Sequence, residues 1–175
     1  MLYMVEMDFP HPSREAEWHD WYLHHIHVLL SVPGFRASQR FRALVKTASP
    51  FLALHEVESG ELFESSAYRG RGGPASTGEW QHLQTNWHRN LLAGIDETPD
   101  VPADRYVLLV REDRDLVLPE PVELTWLSGE GLDRSIDRLG LGVIDDPAPF
   151  LGIAEREPRV CVYRPISEKI FAAAD

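Results

Sequence analysis

The chain has 175 residues, 43% of them hydrophobic, with 17 basic against 28 acidic residues and a formal net charge of −11. That length and apolar content suit one domain, or one domain with an appendage, and exclude an intrinsically disordered chain. The acidic balance repels phosphate backbones and anionic bilayers, so neither nucleic acid nor a membrane is an expected partner. Arg36, Arg40 and Arg42 form the one obvious basic cluster and read as the polar side of a strand. Cys161 stands alone, which rules out an internal disulfide and a cysteine-rich zinc site. Within Val160-Cys161-Val162-Tyr163 it reads as a small buried hydrophobe. Met1 to Met7 lacks the basic start of a signal peptide, and no apolar stretch nears the ~20 residues of a membrane helix, so a cytoplasmic location is expected.

Leu2 to Phe9 alternates as a strand, with Tyr3, Val5, Met7 and Phe9 on one face and Leu2, Met4, Glu6 and Asp8 on the other. Pro10 and Pro12 close it. Ser13 is an expected N-cap, with Glu15 and Glu17 in the first turn of a helix that runs to about Val32 before Pro33-Gly34. Trp18, Tyr22, His25 and Leu29 share one face of that helix, flanked by Trp21 and Val28. Phe35 to Val45 reads as a second strand, with Ala37, Gln39, Phe41 and Ala43 opposite the arginines. Phe51 to Glu58 is a third, joined to it by a hairpin at Lys46 to Pro50. Glu61 to Tyr68 is expected to be helical and Arg69 to Gly78 a loop. Glu79 to Ala93 is expected to be helical again, and Tyr106 to Val110 a strand.

This order is β-α-β-β-α-β, the ferredoxin-like arrangement of one antiparallel sheet with helices on one face. It predicts an α+β unit over residues 1–112. Residues 113–175 are expected to form a β-α-β extension, with a strand at Val122 to Leu127, a short helix at Gly131 to Leu139, a Pro/Gly/Asp-rich connection at Gly140 to Pro158 and a last strand at Arg159 to Arg164. The extension is either a degenerate second unit or an enlargement of the first sheet, and no sequence repeat links the two halves. A four-stranded sheet of this kind leaves one apolar face bare, so a homodimer is expected unless the extension covers that face.

The run Glu17-Trp18-His19-Asp20-Trp21-Tyr22, then His25, Leu29-Leu30 and Val32-Pro33-Gly34-Phe35, resembles the EthD-like proteins of the dimeric α+β-barrel superfamily. Phe51-Leu52-Ala53-Leu54-His55-Glu56-Val57-Glu58 and Glu64-Ser65-Ser66-Ala67-Tyr68 extend the resemblance, which covers roughly residues 1 to 70. It implies a small molecule held between helix and sheet. The implied chemistry ranges over cofactor-independent monooxygenation, isomerisation, cyclisation and lyase reactions, with non-catalytic relatives on the same scaffold. The sequence departs from the family pattern at His24, where an acidic residue is common, and at His55, where an aromatic is common.

On this reading His25 is the acid/base group, since imidazole exchanges a proton near pH 6.5. Tyr22 and His55 orient or polarise a ligand oxygen, and Trp18, Trp21, Leu29 and Phe41 form the walls. The plainer alternative makes His25 and His55 core histidines, each with one satisfied nitrogen, in a non-catalytic binding or stress-associated dimer. His19, His24 and His27 read as solvated polar residues. No metal is expected, because no HExxH-type motif accompanies the His24/His27 pair. No cofactor is expected either. Haem is an alternative suggested by Trp80, His82, Trp87 and His88, which the helical reading sets on one helix. P-loop, GxGxxG and GxSxG motifs are absent.

Overall fold

Strand β1 (Leu2–Asp8) carries apolar side chains on both faces, and that decides its place. Leu2 and Met4 point one way, Tyr3, Val5 and Met7 the other, and all five are buried. A strand of this kind must be covered twice, so it sits inside a sheet rather than at an edge. In this computed structural model, which describes residues 1–112 and 114–173 apart from the side chains at 74 and 75, β1 is flanked by β3 (Phe51–Val57) and β4 (Thr85–Ala93), both antiparallel to it. β2 (Phe35–Ala43) pairs with β3 across the expected hairpin. Helix α1 (Glu15–Leu30) lies over the outer face and buries Trp18, Tyr22, His25, Ile26, Leu29 and Leu30.

The rest of the chain adds β5 (Tyr106–Arg111), β6 (Thr125–Leu132), β7 (Arg138–Ile144), β8 (Val160–Pro165) and a short β9 (Ile170–Phe171). Two helices accompany them, the single turn α2 (Trp80–Leu83) and α3 (Ala148–Ala154). Hydrogen bonding runs β3-β1-β4-β6-β7-β5-β8-β2 and returns from β2 to β3, closing eight antiparallel strands into a barrel. Past a break at residues 166–169, β9 continues along β2 where β8 leaves off. The order β4-β1-β3-β2 becomes β8-β5-β7-β6 when four is added to each strand number, so the topology repeats although the sequence does not.

The barrel interior is a packed core that draws on both halves, including Leu2, Met4, Phe41, Leu52, Leu54, Leu92, Val107, Leu109, Leu139, Cys161 and Tyr163. Val101 stoppers one end, its backbone held by both ends of the Gln39 amide at 2.7 and 3.1 Å. Outside, β5, β7 and β8 pack against Phe150 and Ala154 of α3, with Leu124 and Trp126 alongside. Gly140 and Gly142 permit that crossing, because a Cβ on either would stand about 3 Å from Leu124.

Several expectations change. Ser13 caps nothing: Pro12–Arg14 forms a 3₁₀ turn and Arg14 occupies the cap position of α1. Glu61 to Tyr68 gives a 3₁₀ turn at Gly60–Glu64, and the 69–78 loop folds into further short turns. Glu79 to Ala93 is helical for one turn only, after which Thr85–Ala93 takes the place beside β1. Tyr106–Arg111, expected to follow that helix as the unit's last strand, pairs with β7 and β8 instead. Gly131 to Leu139 is not helical but a β6–β7 turn, with Leu132 and Arg134 at φ 64° and 48°. The 140–158 connection contains most of β7 and all of α3. Residue 113, where the expected boundary falls, lies outside the described residues. The bare sheet face that argued for a homodimer is covered by the chain's own β5–β8.

Phe41 is fully buried in the barrel, so Phe41→Ala should cost about 3–5 kcal/mol, read as a lowered urea midpoint at unchanged slope. Val117→Ala, at a site 83% exposed, should stay within about 0.5 kcal/mol of the parent.

Candidate functional site

His55 sits in the middle of β3 on the face that looks at α1, and strand register supplies its neighbours. Tyr3 of β1 and Ser38 of β2 are its cross-strand partners. The Tyr3 ring stacks on the imidazole at 5.1 Å, and Phe35 meets it edge-on at 6.0 Å. Ser38 Oγ lies 2.9 Å from Nδ1. His55 is wholly buried, and its Nε2 has no partner among the described residues.

From the opposite side α1 contributes Tyr22, His25 and Leu29, spaced to project toward the sheet. Trp21 stacks flat on His25 at 5.1 Å. Together with Tyr3, His55 and Tyr68 these groups line a small hollow of about 40 Å³ between helix and sheet. The outer wall is the 68–84 segment, through Tyr68, Gly72, Gly73 and Gln84, with Trp87 of β4 beside it. Space of that size holds a water molecule or two and no aromatic ligand.

Burial governs the electrostatics. Desolvation, with smaller contributions from His25 and Arg40, pulls the His55 imidazole down to about 3. Desolvation and then His24 pull His25 down to about 4. Burial pushes Tyr3 well above the ordinary phenol range and Tyr22 up to about 12, the latter opposed by Arg40. At neutral pH the hollow therefore holds two neutral imidazoles flanked by neutral phenols. Ser38 can accept from or donate to Nδ1, so Nε2 can present either a lone pair or a proton. A buried, uncharged imidazole with one nitrogen fixed and the other open can accept a hydrogen bond from, or donate one to, whatever enters, and at about 3 it is a weak base until a neighbouring anion raises it.

The structure brings His25, His55, Tyr22, Trp21 and Leu29 to one hollow, while two expected wall residues stand elsewhere. Phe41 points into the barrel, because strand alternation sets it opposite Ser38 and Arg40. Trp18 is sealed beneath the helix, stacked on Phe9 at 4.7 Å. Arg40, expected on a solvated strand face, is 3% exposed under α1. Its guanidinium lies 4.0 Å from the Tyr22 ring centroid and 4.9 Å from that of Trp18, and touches His19 Nδ1 at 3.0 Å. Among the described residues it has no carboxylate partner. Burial pulls it down to about 10. His24 and His27 are exposed.

Tyr3, Ser38 and Tyr68 complete the site and were not singled out from sequence. Counting outward from a 46–50 loop sets His55 opposite Phe41, whereas the strands pair Ala43 with Pro50 and so bring Ser38 to His55; neither that contact nor Tyr68 had a usable signal. Trp87 and His88 lie on β4 rather than a helix and face opposite sides, Trp87 toward the hollow and His88 toward the barrel mouth.

No protein-family model and no curated protein matches the chain. Solved structures do. An anthrone oxidase-like protein superposes with a TM-score of 0.61 at 11% identity, over 99% of this chain and 94% of its own. A monooxygenase-type protein from Lactobacillus acidophilus gives 0.49 at 9% identity, over 98% and 99%. At these identities the likeness is one of fold. No helix among the described residues is long and apolar enough to cross a membrane.

The depressed imidazoles set a pH dependence. The unfolded chain binds a proton at each histidine near the ordinary value of about 6.5, whereas the folded site resists until about 4 and 3. Stability contributed by the neutral rings is therefore complete above pH 6.5 and falls as the pH drops below it. At pH 5 each ring should have cost about 2 kcal/mol relative to pH 8, and His55→Gln or His25→Gln should each remove a drop of about that size in urea melts.

Proposed function

We propose that this chain, which has the fold of the dimeric α+β-barrel superfamily to which EthD-like proteins belong, binds a small aromatic compound bearing an acidic hydrogen between α1 and the sheet and removes that proton with His55. One observation carries the reading: a fully buried neutral imidazole has Ser38 on Nδ1 and an unpartnered Nε2, and it lines a hollow walled by aromatic rings. Roles shift from the expectation that His25 is the base. His55 is 0% exposed with an open Nε2, and His25 is 9% exposed, so we read His55 as the inner base and His25 as the ring nearer solvent. The Tyr3 and Tyr22 phenols, held neutral by burial, are suited to donate to an enolate oxygen.

The wall at 68–84 must retreat for a ring system to enter. It is a chain of short turns ending in the single-turn α2, and it packs tightly, since a Cβ on Gly72 would sit 3.0 Å from Leu29 and 3.1 Å from Tyr68. An anthrone is a fitting compound, since one structural neighbour is an anthrone oxidase-like protein. Its ring CH₂ is a carbon acid, and deprotonation gives an electron-rich anthrolate that reacts with O₂. The CH₂ carbon loses two hydrogens and gains one oxygen atom, forming the quinone, and the second oxygen atom leaves as water. The chemistry needs no cofactor. We favour this reading over haem because His88, one of the candidate iron ligands, faces the barrel mouth and not the hollow.

We read the two sets of four strands as ferredoxin-like units joined in one chain. All the groups named here come from the first of them, so a homodimer is not required to complete the site.

Supplied with anthrone in air, the protein should generate anthraquinone faster than a buffer blank. His55→Gln should lose about 100-fold or more of that rate, and Ser38→Ala a smaller factor, with folding intact by circular dichroism. Unchanged turnover in His55→Gln would remove the assignment. The closed state of the hollow favours a second reading, in which the same residues bind without catalysis. Saturable quenching of Trp21 fluorescence by anthraquinone, without turnover of anthrone, would select it.

A further inference from the structure

β2 and β8 pair only over Phe41–Ala43 and Tyr163–Pro165, prolonged at one end by a bond from Ile166 N to Arg40 O and at the other by one from Leu44 N to Val162 O. Beyond that point they part. The gap between the 45–49 hairpin and residues 158–162 opens a cleft of about 420 Å³ into the barrel wall, on the opposite side of the sheet from the His55 hollow. Glu6 and Cys161 lie at its floor and Arg111 beside them.

Glu6 is 1% exposed and Arg111 Nη2 donates to its Oε1. The pair is half finished. Glu6 Oε2 and Arg111 Nε are both buried without partners among the described residues, one acceptor and one donor. Buried polar atoms are rarely left so. Burial also raises the Glu6 carboxyl above its usual range in spite of Arg111, a tendency that a donor reaching Oε2 would oppose. The rim carries Lys46 and Arg156, both exposed and without ion pairs among the described residues, and Glu155. Three cations (Lys46, Arg111, Arg156) against two anions (Glu6, Glu155) leave the mouth at +1 in a chain of −11.

We infer that this cleft is a second small-molecule site, for a short hydroxycarboxylic acid whose carboxylate faces Arg111 and the cationic rim and whose hydroxyl donates to Glu6 Oε2. A simple carboxylate satisfies one orphan atom and a simple alcohol the other; the α-hydroxy acid satisfies both. The site is independent of the proposed chemistry at His55.

The test is an amide-resolved NMR titration of the full chain with glycolate, acetate and ethylene glycol. Glycolate should move the 45–49 and 160–162 amides saturably, and acetate and ethylene glycol should each bind about tenfold more weakly. Lys46→Glu, at an exposed rim position, should weaken glycolate about tenfold without disturbing the fold, and Glu6→Gln should bring glycolate and acetate closer together. The same shifts should persist in His55→Gln. Equal binding of glycolate and acetate, indifference to Lys46→Glu, or no saturable shift at all would overturn the assignment, leaving a water-filled cleft.

Discussion

The structure depends on closing eight strands into a ring, because no strand of the first half can bury both of its faces otherwise. Leu2, Met4, Leu52, Leu54 and Phe41 need a second sheet across from them, and β5–β8 supply it. Two seams, β4 with β6 and β2 with β8, complete the circle. Once the inside is filled, the outer face of the first half is free to carry a helix that is not needed to shield the barrel core. That freedom allows a hollow to persist beneath α1, where side chains meet ring to ring instead of interlocking.

Polar burial in this molecule is concentrated and unevenly compensated. At the stoppered end, Lys169 Nζ lies 3.3 Å from Glu56 and donates to the Thr98 carbonyl at 2.6 Å, while Glu56 also receives the Thr98 amide, so that network is well satisfied. Under α1, Arg40 keeps its charge against two aromatic faces, an arrangement that cation–π attraction can support where a carboxylate is absent. Its field also favours the uncharged form of the neighbouring His55. Removing a single member from either group leaves the others buried with less compensation, which makes both regions sensitive to substitution.

The first sixty residues were largely legible because their patterns are clean. β1 and β3 are short apolar runs of strand length, α1 carries its aromatic face at helical spacing, and Pro33-Gly34 marks the turn, with Gly34 at φ 97°. Periodicity set Tyr22 and His25 on one helix face and His55 on one strand face, and the resemblance supplied the expectation that the two faces meet. Beyond residue 78 the signal fails for physical reasons. In β4, Leu91 faces the helix side and Leu92 the barrel, so adjacent apolar residues interrupt the alternation and imitate a helix. The β6–β7 turn uses Leu132 and Arg134 in the left-handed region where glycine or asparagine would have announced it. Phe41 was misjudged because its aromatic character outweighed its parity. Arg40 was misjudged because no local pattern distinguishes a buried cation from a solvated one.

The repeated strand order has a consequence for how the fold responds to dilution. Where two chains supply the two halves of such a ring, its closure competes with dissociation, and the folded fraction falls as the protein is diluted. Here residues 94–105 tie β4 to β5, so both seams close within one molecule and the partner half is always at hand. Closure of the ring needs no second chain. The two halves are thereby released from having to match each other: α1 of the first has 16 residues and stands over the hollow, and α3 of the second has seven and packs against β8.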